Sequence, residues 1–157
     1  MAANTAPIFP LTPNAGVMNV LLTTAVTNTK AYDGTDTAGT ALALCYTAGA
    51  NGSKVDGINV SLTSTNGATA SGTTAATVVR FWLNNGSANT TATNNQLIGE
   101  LAIPATPLVA LATSINTTYS FAFNRAIPAG YKIYAGITVA IGGTNCAALV
   151  AANGGDY

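Results

Sequence analysis

From residue 19 onward the chain is built on a period of two. Runs of β-branched and aromatic residues, broken by clusters of Gly, Asn and Thr, occupy 19–27, 40–47, 54–65, 77–84, 96–103, 117–124, 131–141 and 146–151. Side chains at i and i+2 of a strand share a face. The pattern therefore predicts shared faces for Leu42, Leu44 and Tyr46, for Ile58, Val60 and Leu62, and for Val79, Phe81 and Leu83. Tyr119, Phe121 and Phe123 repeat it, as do Tyr131 and Ile133, then Ile137, Val139 and Ile141. The intervening positions carry Ala, Ser, Thr, Asn and Lys, which suits antiparallel sheets with one wet face. No segment carries a capped apolar stripe of helical period; the Ala-rich stretch 104–114 is the one helix candidate, and its two prolines weaken it. Eight strands without helical crossovers predict an all-β fold, an antiparallel β-sandwich, with a jelly roll as a fitting arrangement. Asn51-Gly52 reads as a hairpin turn, Pro128-Ala129-Gly130 as a second turn, and Gly57 as a bulge within its strand.

Residues 1–18 break the pattern. Pro7, Pro10 and Pro13 recur every third residue with Ile8, Phe9 and Leu11 between them. Each ring fixes φ near −65° and removes a donor, so the segment reads as an extended arm that poorly suits a central strand. An arm that is merely solvated has no use for three large apolar side chains. Pro7, Ile8, Phe9, Pro10, Leu11 and Pro13 are accordingly the candidate partner-binding residues, with 19–157 as a single β-sandwich domain. On this reading the arm attaches the protein to a partner and contributes little to its own fold.

Charge narrows the function. Five Lys/Arg balance five Asp/Glu, and there is no histidine. Five scattered cations cannot neutralise many phosphates, which argues against a nucleic-acid partner. His-based triads, imidazole metal ligands and a histidine pH switch are excluded outright. Cys45 and Cys146 stand 101 positions apart, too far for a redox CxxC, and two buried free thiols are favoured over a long-range disulfide. No signal-peptide pattern or membrane-length apolar run is read, so the expectation is synthesis in a cytoplasm and no membrane partner. Asp56 and Glu100 are the one pairing of carboxylates considered for glycoside chemistry, with Trp82 as the sole tryptophan platform; single surface charges, or an Arg80–Glu100 pair, are favoured instead. Asp33-Gly34-Thr35-Asp36 resembles half a calcium loop without the further carboxylates, and reads as a side-chain-stabilised turn. With no nucleophile elbow, phosphate loop or dinucleotide fingerprint, the expectation is a non-enzyme with no cofactor and no metal. A neutral, weakly charged surface favours self-association, a liability that an assembly removes.

Several motifs stand in order along the chain. They are Ala48-Gly49-Ala50-Asn51-Gly52-Ser53-Lys54-Val55-Asp56-Gly57-Ile58, Val79-Arg80-Phe81-Trp82-Leu83 and Leu97-Ile98-Gly99-Glu100, then Ile127-Pro128-Ala129-Gly130-Tyr131-Lys132-Ile133 and Gly154-Gly155-Asp156-Tyr157. From about Asp33 to the last residue the chain resembles a group of small virion proteins of tailed bacteriophages, the capsid decoration (cement) proteins. The proline arm and the loop 85–95 depart from the shorter members. The resemblance implies a structural protein, often a homotrimer, located on the virion capsid surface after synthesis in the host bacterial cytoplasm. It would bind the major capsid protein where subunits meet and stabilise the head, with the arm laid across a capsid subunit. The alternatives are a carbohydrate- or receptor-binding β-module of a phage tail or cell surface, and a self-assembling tail-tube or surface-layer subunit.

Overall fold

A strand with one apolar face must hide that face, and eight such strands can do so by closing two sheets on each other. The computed structural model describes residues 9–15, 20–23, 33–36, 42–64, 72–108, 117–143 and 145–157. Its strands, in chain order, are β1 (Thr12–Ala15), β2 (Val20–Leu22), β3 (Ala43–Thr47), β4 (Ser53–Ser64), β5 (Gly72–Thr73), β6 (Thr77–Asn84), β7 (Asn95–Ile103), β8 (Pro107–Leu108), β9 (Thr118–Ile127), β10 (Lys132–Ile137) and β11 (Cys146–Asp156). The first sheet runs β1-β11-β4-β9 and the second β3-β10-β6-β7, while β5 and β8 form a short ribbon. β4 occupies one edge of β11 along its whole length, so β1 and β2 lie end to end on the other as one interrupted edge strand.

Counting β1 with β2 and setting the ribbon aside, eight strands remain. The first pairs with the eighth, β3 with β10, β4 with β9, and β6 with β7, all antiparallel. Successive pairs alternate between the sheets. That nesting is a long hairpin rolled up on itself, the jelly-roll form of the β-sandwich. Each of the eight runs seen in the sequence overlaps one of these strands, although β1, the end of β9 and the end of β11 lie outside them.

The core lies between the sheets. Ile58, Val60 and Leu62 of β4 and Ala148, Val150 and Ala152 of β11 come from one side; Val79 and Phe81 of β6 and Ile133, Ala135 and Ile137 of β10 come from the other. Phe81 and Phe121 stack across the gap with ring centroids 5.1 Å apart. Gly99 on β7 makes room for them, because a Cβ there would collide with the Phe121 ring.

Three expectations are corrected. Leu42, Leu44 and Tyr46 do not share a face. Tyr46 stands opposite Ile133 and Leu44 opposite Tyr134, so Cys45 is an extra residue in a β-bulge. Past it the alternation reverses: Cys45 and Tyr46 enter the core, whereas Leu42 packs with Trp82 and Tyr134 outside it. Asn51-Gly52 does not close a hairpin, because β3 and β4 lie in different sheets. The turn, closed by Gly52 N–H donating to the Gly49 carbonyl at 3.1 Å, is an arch between sheets, with Gly52 at φ +89° beside the Ile127 carbonyl. Val139 leaves the apolar face of its run: β10 ends at Ile137, the Val139 carbonyl accepts from Thr77 Oγ1, and its side chain is half exposed. Ile141 returns to the core. The bulge expected at Gly57 is present, with Asp56 unmatched against both β9 and β11. In the stretch 104–114, Pro107–Leu108 is strand, and positions 109–114 lie outside the described residues.

Candidate partner-binding surface

The N-terminal segment enters the fold as an edge strand. An edge is the place in a sheet where a residue without an N–H fits, and Pro13 sits there opposite Gly155. The expectation that prolines keep the arm off the sheets therefore meets a different arrangement over Thr12–Ala15. Pro10 packs against Gly155, where an added Cβ would lie 2.5 Å from the proline ring. Leu11 N–H donates to the Asp156 carbonyl at 2.8 Å. Phe9 and Leu11 point away, 71% and 84% exposed. Pro13 is exposed as well. Pro7 and Ile8 lie outside the described residues.

What fixes this segment is Asp156, a residue that sequence reasoning left among the unassigned acids. Its carboxylate accepts from Asn14 Nδ2 at 3.0 and 3.1 Å, from Ser53 Oγ, from Gly49 N–H at 3.3 Å and from Tyr46 OH at 3.5 Å. Asn14 also reaches the Thr47 carbonyl at 3.3 Å. One side chain thus ties β1, β3, the arch 48–52 and the start of β4. Burial raises the Tyr46 phenol, against the Ser53 hydrogen bond and with the help of the Asp156 charge, so the phenol stays a donor. The next residue completes the closure: Tyr157 N–H donates to the Gly52 carbonyl at 3.1 Å, and Asn51 Nδ2 to the Tyr157 carbonyl at 3.2 Å. The available signal was Gly154-Gly155 before an acid, since glycines in a strand mark close backbone approach. Gly154 lies against the Lys54 carbonyl.

The other constellations resolve into structural roles. Asp33 forms a turn with Thr35, accepting from its N–H at 2.9 Å and its hydroxyl at 2.8 Å. Asp36 is buried and accepts from Leu42 N–H at 2.9 Å. Asp56 pairs with Lys54 at 2.8 Å in the first sheet, and Glu100 pairs with Arg80 across β6 and β7 in the second. These two acids therefore serve separate ion pairs. Trp82 is fully buried beneath Gly34, and its indole N–H has no hydrogen-bond partner among the described residues. Cys45 and Cys146 are both buried and are not joined in a disulfide, and burial pushes the Cys45 thiol up to about 12. Among the described residues no group of His, Cys, Asp or Glu is placed to hold a metal, and no helix is long and apolar enough to cross a membrane. The loop between β6 and β7 is knit by asparagine amides: Asn84 to Asn95 at 2.8 Å, Asn94 to the Ala88 carbonyl at 2.9 Å, and Asn95 to the Asn89 carbonyl at 3.1 Å. No protein-family model, curated protein or solved structure matches the chain.

Proposed function

We propose that this chain is a bacteriophage capsid decoration (cement) protein, a homotrimer that binds the outer capsid surface between major capsid protein subunits and stabilises the head. The observation that carries the reading is the exposure of Phe9 and Leu11 on a segment whose next residues are pinned to the sandwich. Covering each of these side chains contributes about 1.5–3 kcal/mol. Their exit direction is already fixed, so less ordering entropy opposes binding. Repetition over a shell multiplies such modest contacts. A jelly roll alone hosts many functions, and it is the resemblance of the ordered motifs to those of phage virion proteins that favours the capsid as the partner. The burial of Trp82 weighs against a carbohydrate-binding module, which needs its aromatic platform in solvent.

The test is association with intact virions. The chain is expected to copurify with them at a fixed ratio to the major capsid protein, and to rebind stripped particles. The double variant Phe9→Ser/Leu11→Ser is expected to lose at least ~10-fold in rebinding, about 1.4 kcal/mol, with its melting temperature unchanged. Because so few charges are available, rebinding is expected to persist in about 1 M sodium chloride, where the Debye length falls to about 3 Å. Tubes or lattices formed by the purified protein alone, seen by electron microscopy, would instead identify a self-assembling subunit.

A further inference from the structure

β1 is held by a short backbone ladder on β11, by Asn14 Nδ2 donating to the Thr47 carbonyl, and by the two contacts of Asn14 with the Asp156 carboxylate. It is four residues long, Pro13 donates no N–H, and Phe9, Leu11, Thr12 and Pro13 face solvent, so its departure uncovers little apolar surface. β11, by contrast, has a separate ladder with β4 from Cys146 to Asp156 that involves no residue of β1. The two oxygens of Asp156 are unequal. Oδ1 accepts from Ser53, Asn14, Gly49 and Tyr46; among the described residues Oδ2 accepts from Asn14 alone, at 3.1 Å.

We propose that Asp156 is an acid-operated latch on β1: ionised, it holds Asn14 and the strand on the edge of β11; protonated on Oδ2, it releases residues 9–15 while the sandwich stays folded. A proton on Oδ2 sets an O–H against the Asn14 amide and removes one of the two oxygens it bridges, leaving Asn14 only its 3.0 Å contact to Oδ1, which it shares with Ser53, Gly49 and Tyr46; these three keep their acceptor unchanged. The loss therefore falls on the arm and not on the arch. Among the described residues, the titratable groups around the carboxylate are Tyr46 on β3, Lys54 and Asp56 on β4, which pair with each other, and Tyr157 next in sequence. β1 and the arch 48–52 bring none. Burial works to raise the Asp156 carboxyl, and the donors from Asn14, Ser53, Gly49 and Tyr46 outweigh it, holding the group below the usual carboxylate range. For a carboxyl depressed in the folded state, the stabilisation is complete above the unfolded value of about 3.9 and is lost as pH falls through the lower folded value. The latch thus stays closed through mild acid and opens in strong acid. The inference concerns how the arm is held, whatever Phe9 and Leu11 bind.

Amide hydrogen-exchange protection in the full chain, followed by NMR from pH 7 to pH 2, tests it. Leu11, Thr12 and Asn14 are expected to lose at least ~10-fold in protection, about 1.4 kcal/mol, as Asp156 protonates, while Val60 and Val150 keep theirs. Asp156→Asn is expected to release β1 already at pH 7. Asn14 lies on the sheet edge, so Asn14→Asp leaves the core intact and is expected to invert the response: two carboxylates repel at pH 7, and one shared proton re-docks the strand in acid. Protection of β1 that persists to pH 2, loss of β1 and core together, or an Asn14→Asp variant without inversion would each overturn the latch.

Discussion

Two glycines set how closely the outer and inner layers of the second sheet can be covered. Gly34 sits at φ +71°, and a Cβ there would come within 2.6 Å of the Trp82 ring. Gly34→Ala therefore strains the backbone and lifts the 33–36 segment from the indole. Trp82 is the only tryptophan, so its emission reports the change directly. A red shift and stronger acrylamide quenching are expected, with a stability loss of about 1–3 kcal/mol. Gly99 works from inside. Phe121 cannot swing away from an added methyl because it is stacked on Phe81. Gly99→Ala is expected to destabilise by about 1–3 kcal/mol in chemical denaturation while leaving Trp82 emission unchanged, since the indole lies on the opposite face.

At the scale of the element, β1 divides attachment from folding. Removing residues 1–14 takes away a short edge ladder and the Asn14–Asp156 contacts, and leaves the pairs β3·β10, β4·β9 and β6·β7 untouched. The truncated chain is expected to fold, with a loss of about 1–2 kcal/mol and a melting temperature lower by about 2–8 °C. Binding to particles is expected to disappear. The strands themselves were legible because a buried face imposes its period on the residues that fill it. The run at 40–47 misled at Cys45, where one extra residue reverses the faces and alternation alone cannot register it. Asn51-Gly52 gave the turn but not its partners, since the same dipeptide can close a hairpin or arch between sheets. β1 was missed because three prolines outweigh a four-residue pattern, and Asp156 because its partners lie 103 to 142 positions away.

For the whole molecule, the jelly roll puts both cysteines inside. Cys45 is buried and its thiol is raised to about 12, and Cys146 is buried too. Native protein at pH 8 is expected to resist an aromatic disulfide reagent, with both thiols reacting together in denaturant; rapid labelling of either one in the native state contradicts this packing. Far-ultraviolet circular dichroism is expected to show less than about a fifth helix, against about a third in an average globular domain. The nested order has a further effect on how the chain acquires its structure in time. β11 is the last strand in sequence, yet it lies inside its sheet, between β4 on one side and β1 with β2 on the other. The first sheet therefore has a gap through its middle until residues 146–156 have left the ribosome. Earlier strands must wait unpaired along that line, and loop closure over nearly the whole chain precedes the final ladder. The first sheet is therefore completed only once β11 is available to pair with β4 on one side and with β1 and β2 on the other.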